Sequence, residues 1–150
     1  MADLVDLLLA RPGRYVGAAL RPAEDDDTGG APPDVARIDV AALPGGSGVM
    51  LTYEVLSSAG EVGHHEHEVV ARTTAGIVLV TSHTHADVTT VIAEASDEPG
   101  WFPAAEGTAP FPMAIRVEVP EAGHLVHSWS YGWGDRPLAV RDVADVRCVD

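Results

Sequence analysis

The feature that most constrains this chain is a series of short segments rich in β-branched residues, separated at close intervals by turn-forming residues. From residue 35 onwards, breaks that contain glycine or proline recur throughout the chain. The segments between the breaks are typical of strands, because Val, Ile and Thr fit a pleated surface. The predicted strands span 14–20, 35–42, 49–57, 64–73, 77–85, 88–95, 113–119, 124–131 and 138–149.

Short connections make neighbouring strands pair antiparallel, and no helical segment between strands is long enough for a parallel crossover. A set of strands of this size avoids exposed edges by closing on itself. We therefore predict an all-β fold, an antiparallel meander that forms a barrel of about 8–10 strands. A chain of 150 residues suits a single domain of this kind, spanning 1–150.

Two segments depart from the strand pattern. Asp3 can cap a short amphipathic helix, in which Leu4, Leu7 and Leu8 recur at helical spacing before Pro12 ends it. A helix of two turns is not stable alone, so it must pack on the barrel. The stretch 21–34 is acidic and rich in Gly and Pro, which predicts a mobile loop.

The charge balance narrows the possible partners. The formal net charge is −14, from 23 acidic and 9 basic residues, and such a surface repels phosphate backbones and anionic membranes. Cys148 is the only cysteine, which excludes an intrachain disulfide and a zinc site built on cysteines. No signal peptide or membrane-spanning run is recognisable. We expect a soluble cytoplasmic protein with neither nucleic acid nor membrane as a partner.

Several residues occur in an order seen in a known superfamily. They are Leu7-Leu8-Leu9 before a first strand that contains glycine, Leu51-Thr52-Tyr53-Glu54, Gly60, His65-Glu66, Arg72, and a terminal strand after Trp129. This order resembles the calycin superfamily, which includes lipocalin-like barrels, and specifically the fatty-acid-binding-protein-like barrels of the nitrobindin type. The resemblance implies a barrel with an internal pocket for a small, mostly apolar ligand.

Nitrobindin-like proteins bind haem through a histidine in the terminal strand. The matching stretch of this sequence, 138–145, contains no histidine. The stretch 12–17 reads Pro-Gly-Arg-Tyr-Val-Gly where the family has Gly-Thr-Trp. The resemblance therefore does not predict haem binding by that route, and what it implies is a pocket for another small molecule.

An aromatic stripe lies near the C-terminus. Strand alternation places Leu125, His127, Trp129, Tyr131 and Trp133 on one face, opposite smaller residues. This pattern indicates that the stripe points into the barrel. It can form the wall of a ligand pocket or an ordinary filled core, since barrels of this size do either.

Two histidine-rich segments occur in neighbouring predicted strands. If the turn between them is the three residues 74–76, His67 lies opposite His83 and His65 lies opposite His85. Opposed imidazoles are close enough to share a divalent ion such as zinc. A turn one residue shorter or longer removes this site, and histidines near a strand end are commonly solvated or line a ligand pocket.

Arg116 alternates with apolar residues and shares a face with Glu118. An inward Arg116 could bind a ligand carboxylate, whereas an outward one would form a surface ion pair. No catalytic residue is predicted, because Ser128 and its neighbour His127 point to opposite faces of a strand.

These patterns favour a protein that holds a small apolar or aromatic ligand inside a β-barrel. The first alternative is a metal-dependent or acid–base enzyme that uses the histidine cluster. The second is a non-catalytic interaction protein, such as a homodimer that pairs through the aromatic face. The predicted ligand-binding residues are Tyr53, His67, His83, Arg116, His127, Trp129 and Tyr131.

Overall fold

The computed structural model describes residues 1–21, 33–83, 91–94, 97–105 and 107–150, and of residues 83 and 91–94 only the backbone. Within these ranges lie one α-helix, α1 (Leu4–Leu9), a 3-10 helix at Pro44–Gly46, and ten strands. The strands are β1 (Gly13–Leu20), β2 (Asp34–Ala42), β3 (Gly48–Leu56), β4 (Val62–Thr73), β5 (Gly76–His83), β6 (Val91–Glu94), β7 (Trp101–Pro103), β8 (Met113–Glu121), β9 (His124–Trp133) and β10 (Arg136–Cys148).

All ten strands form one antiparallel sheet that curves into a nearly closed barrel. The strand order is β6-β5-β4-β3-β2-β1-β10-β9-β8-β7, so the first strand pairs with the last. The two edge strands, β6 and β7, lie next to each other. The predicted all-β antiparallel barrel with a short N-terminal helix is therefore confirmed.

Two details of the strand prediction change. The sequence does not predict β7, because its three residues follow Pro99-Gly100 and end on Pro103, a composition typical of loops. The predicted strands 77–85 and 88–95 become Gly76–His83 and Val91–Glu94. Residues 84–90 and most of the predicted loop, 22–32, lie outside the described residues.

Helix α1 closes one end of the barrel, which we call the helix end. Asp3 and Asp6 form a reciprocal capping box at its N-terminus, and Val5 and Leu8 are buried. Arg72, near the end of β4, donates two hydrogen bonds of 2.8 Å to the Asp3 carboxylate and another to Asp6. This guanidinium lowers the pKa of Asp3. The ion pairs thus tie the helix to the sheet it covers.

The junction between the first and last strands depends on a glycine. A Cβ atom on Gly17 of β1 would lie 2.0 Å from the carbonyl oxygen of Asp145 in β10. Only glycine permits this approach without moving one of the two backbones. The first and last strands therefore approach each other closely at a point where β1 carries no side chain.

The core follows from alternation along each strand. On β3, β4 and β5 the inward residues Val49, Val70 and Leu79 lie side by side towards the helix end, and all three are fully buried. The buried core at and around the helix end is apolar. It includes Val5, Leu8, Ile38, Val40, Val49, Leu51, Val70, Leu79, Val117, Leu125, Ala144 and Val146.

Candidate functional site

The inner face of β4 changes from apolar to charged with distance from the helix end. Alternation carries the inward positions from Val70 to Glu68, Glu66 and His64. Both glutamates are fully buried, with 0% of their surface exposed. Their neighbours in the β3 register are Leu51 for Glu68 and Tyr53 for Glu66. Two acidic side chains therefore point into an apolar interior.

Strand β9 presents the complementary surface. Its inward residues Leu125, His127 and Trp129 are all buried, at 0%, 1% and 6% exposure. In the sheet, β9 is separated from β4 by β3, β2, β1 and β10 on one side and by β5 to β8 on the other. The two strands are therefore opposite walls of the barrel.

The opposite walls meet through hydrogen bonds. His127 Nε2 lies 2.7 Å from Glu68 Oε1, and Trp129 donates from Nε1 to Glu66 Oε2 at 2.9 Å. His127 Nε2 is also 3.8 Å from Glu66 Oε1. We call these four residues, Glu66, Glu68, His127 and Trp129, the polar cluster. It bridges the interior between the helix end and the opposite end, which we call the far end.

Further side chains surround Glu66. His64 Nε2 lies 2.6 Å from Glu66 Oε2, and Thr81 of β5 donates to Glu66 Oε1 over 3.4 Å. The Tyr53 ring lies 5.3 Å from the His64 ring and 5.1 Å from the His127 ring, measured between centroids. Aromatic surfaces thus shield the polar cluster while its polar atoms contact one another.

Burial controls the protonation of this cluster. It raises the pKa of Glu66 to about 8, with a further contribution from the neighbouring Glu68 charge. It also raises the pKa of Glu68 to about 7. The pKa of His127 is lowered, again because burial disfavours the charged form. At neutral pH Glu66 therefore retains its proton, and His127 is a neutral imidazole.

Two buried atoms of the cluster lack hydrogen-bond partners among the described residues. They are Glu68 Oε2 and His127 Nδ1. An unsatisfied buried polar atom costs about 1–3 kcal/mol, so such atoms are uncommon in a core selected only for stability. Carboxyl and imidazole groups in a dry interior can hold or transfer protons, and they can also bind a metal ion.

The predicted histidine pairing across β4 and β5 is wrong. The turn has two residues, since Thr73 pairs with Gly76, and this shift places His67 opposite Ser82 and His83 opposite Glu66. His65 and His67 do lie together, with Nε2 atoms 3.0 Å apart.

Both of these histidines lie on the outer face of β4, where His67 is exposed. The 3.7 Å contact of His65 Nδ1 with Glu54 belongs to the same face. His85, the fourth predicted zinc ligand, lies outside the described residues. The predicted set of four histidines is therefore not assembled around one point by the described chain.

The other predicted ligand-binding residues divide between the two faces. Tyr53, His127 and Trp129 converge inside the barrel, and Tyr131 lies further towards the far end, with its hydroxyl 3.1 Å from Asp142 Oδ2. Arg116 points outward and forms an ion pair of 2.6 Å with Glu98.

The aromatic stripe does not form an exposed face as a whole. Trp129 is 6% exposed within the single chain, and its burial needs no second copy. Trp133, at the end of β9, is 44% exposed and stacks on Tyr131. A homodimer interface on this stripe would therefore involve Trp133 and not Trp129.

Haem does not fit the route that the calycin resemblance implies. The buried residues of β10 include Ala144 and Val146, which offer no axial ligand. At the level of Ala144, which pairs with His127, the Glu68–His127 contact already bridges the interior. A macrocycle at this level would have to displace that contact.

A separate cleft of about 690 Å³ lies at the helix end. Its apolar lining includes Leu4 and Leu7 of α1, Ile77 of β5, Phe102 of β7 and Val119 of β8. The polar cluster does not contribute to it. The cleft and the cluster are therefore different places in the fold.

Sequence reasoning missed Glu66, Glu68 and His64 as interior residues. Val69 and Val70 are adjacent, so the apolar pattern of β4 fits either face. The useful signal is the hairpin with β3. The inward series Val49, Leu51 and Tyr53 pairs with Val70, Glu68 and Glu66, which fixes the face.

No known family model matches this chain, and no curated protein matches its sequence. The comparisons thus add no family to the fold, and the resemblance to calycin barrels is not confirmed by any family model or relative. Among the described residues, no helix has the length and apolar character that crossing a membrane requires.

Proposed function

We propose that the protein binds a small apolar or aromatic molecule in the far half of its barrel, as calycin-type barrels do. The ligand would lie against Tyr53, Trp129 and Tyr131, and the polar cluster would form the floor beneath it. Apolar contact would supply most of the affinity, at about 25 cal/mol per Å² buried, and the polar floor would orient the ligand.

The observation that carries this proposal is a gradient of exposure on the inner face. At the helix end Val49 and Val70 are fully buried, whereas His64, inward-facing near the far end, has 19% of its side chain exposed. Tyr131 is likewise only half-buried. The described inner face is therefore accessible to a ligand at the far end, through an opening that is separate from the cleft at the helix end.

The chain's three tryptophans provide a test. In a Trp101→Phe, Trp133→Phe background, Trp129 is the only source of tryptophan fluorescence. The neutral aromatic probe N-phenyl-1-naphthylamine should bind and quench Trp129 by energy transfer. Tyr131→Ala should weaken binding about tenfold or more, because burying a large side chain is worth about 1.5–3 kcal/mol.

His67→Ala is the matched control, since His67 lies on the outer face of β4, in the opposite wall of the barrel. Probe binding should be unchanged in this variant. Absence of probe binding would contradict the proposal. Binding that is insensitive to Tyr131→Ala would place the probe elsewhere, for example in the cleft lined by Leu4 and Phe102.

A further inference from the structure

We propose that Glu66, Glu68 and His127 bind one divalent first-row transition-metal ion of the zinc class inside the barrel. The donors would be Oε1 of each glutamate and Nε2 of the histidine. This inference concerns a metal ion and holds whether or not an organic ligand occupies the far half of the barrel.

The donor atoms already lie at nearly the required spacing. One ligand atom from each residue falls within 4.8 Å of the other two. His127 Nε2 is 2.7 Å from Glu68 Oε1 and 3.8 Å from Glu66 Oε1. Donors about 2.0–2.2 Å from a tetrahedral or octahedral ion lie about 3.0–3.4 Å apart, so the two distances from His127 Nε2 need to change by only a few tenths of an ångström.

The chemistry of the three groups selects the kind of ion. One imidazole with two carboxylates is a mixed nitrogen and oxygen set, which suits zinc and its first-row neighbours. Calcium prefers six or more oxygen ligands, which three side chains of this kind do not supply. Binding of the ion would release the proton of Glu66 to solvent, and the two resulting carboxylates carry the charge that a divalent ion neutralises in a dry interior.

Neighbouring residues orient the set. Trp129 Nε1 and His64 Nε2 both contact Oε2 of Glu66, which leaves Oε1 directed towards His127. Metal-binding carboxylates are commonly held in this way by hydrogen bonds to the oxygen that faces away from the ion. His64 and Trp129 are thus positioning residues for the proposed site.

An unpartnered carboxylate oxygen is the second, independent indication. Glu68 Oε2 is buried without a hydrogen-bond partner among the described residues. A set of side chains held only by mutual hydrogen bonds would be expected to satisfy its own atoms. Glu68 has a free oxygen with which it could bind an ion through both oxygens.

The competing explanation is a cluster that holds only protons and hydrogen bonds. It predicts no metal affinity above that of a surface histidine pair. The chain contains such a pair in His65 and His67, whose Nε2 atoms are 3.0 Å apart on the outer face. The experiment must therefore separate the interior set from this exposed one.

We would titrate the EDTA-treated full-length chain with Co²⁺, follow the visible absorption bands of the bound ion, and then displace it with Zn²⁺. One ion per chain should bind. Glu68→Gln and His127→Gln should each weaken binding by at least about 100-fold, and His64→Ala by about tenfold, since loss of an orienting partner costs 10–100-fold in known sites. The double variant His65→Ala, His67→Ala should bind as tightly as wild type.

X-ray absorption spectroscopy of the wild-type zinc complex gives a second measurement that does not depend on any variant folding. The proposal predicts one imidazole together with oxygen ligands. Loss of the ion in the double variant of His65 and His67 would assign the metal to the outer face and overturn the proposal, and so would two or more imidazoles that disappear from the spectrum of that variant. Absence of Co²⁺ binding to the wild-type chain would overturn it as well.

Discussion

The interior beside α1 and the level that crosses the middle of the barrel are built by the same alternating strands but from opposite chemistry. On β4, Val70 points into the interior near the helix end. Glu68 and Glu66, two and four residues earlier in the chain, point into the middle of the barrel. On β9 the same change separates Leu125 from His127. A step of two residues along each wall thus replaces aliphatic packing with buried acids and an imidazole.

The two levels contribute differently to stability. Burial of aliphatic side chains is favourable, at about 25 cal/mol per Å². Burial of Glu66 and Glu68 is costly, as the raised pKa of each shows. A buried polar network is commonly no more stable than well-packed apolar residues. The apolar level is therefore what holds the fold together, and the polar cluster needs another reason to be present.

The largest effect should come from the apolar level. Leu8→Ala would remove a helix side chain that is 1% exposed and leave a cavity between α1 and the sheet. We expect a loss of about 2–5 kcal/mol in the free energy of unfolding, measured by urea denaturation. Co²⁺ affinity of the folded fraction should not change. A loss below about 1 kcal/mol would show that α1 is not part of the core.

Replacing the bridging pair of the polar cluster should act in the opposite direction. In Glu68→Leu with His127→Val, both partners become apolar and the two unpartnered atoms disappear together. The metal-free double variant should be as stable as wild type or gain up to about 4 kcal/mol at pH 7, measured by urea denaturation. A loss of several kcal/mol would mean that the cluster stabilises the fold, which would remove the contrast between the two levels.

The sequence could predict the apolar framework of the barrel but not the acidic residues in its interior. Repeated turns and β-branched segments are local signals, and they correctly give the barrel and the capped helix of Asp3. The interior acids depend on which face of β4 points inward, and the adjacent Val69 and Val70 leave that undecided. The turn after Thr73 is one residue shorter than predicted. This difference changes the cross-strand partner of His83 from His67 to Glu66.

The pairs that form the site are also distant in the chain. Glu68 and His127 are 59 residues apart, and only closure of the barrel makes them opposite walls. On β9 the alternation does place His127 and Trp129 on the inner face, as predicted. No local pattern indicates that their partners are glutamates of β4. The aromatic stripe could thus be predicted from the alternation of one strand. The polar cluster could not, because it depends on the topology of the whole sheet.

The ionisable groups of the polar cluster should make the stability of the protein depend on pH. Above pH 4.5 these glutamates ionise in the unfolded chain, whereas the folded protein keeps Glu66 protonated to about pH 8 and Glu68 to about pH 7. Folding then takes up protons, so the stability of metal-free protein falls as the pH rises. His127 opposes this trend below its unfolded value of 6.5, because its pKa is lowered on folding.

The informative window is therefore pH 6.5 to 8, in EDTA. Each proton taken up contributes a slope of at most about 1.4 kcal/mol per pH unit. Glu66→Gln cannot take up this proton, and its slope in urea denaturation should be flatter than that of wild type by up to that amount. Equal slopes in the two proteins would show that Glu66 does not retain its proton on folding.

The smallest effect should come from the outer face of the same strand. His65 and His67 alternate with Glu66 and Glu68 along β4 and point outward. Replacing both with alanine should change the free energy of unfolding by no more than about 0.5 kcal/mol, since neither side chain fills the core. Thermal denaturation with and without Zn²⁺ should show the same metal-induced increase in Tm as wild type. If Zn²⁺ no longer raised the Tm of the double variant, the metal would bind to the outer histidines of β4. The interior glutamates would then have no role in metal binding.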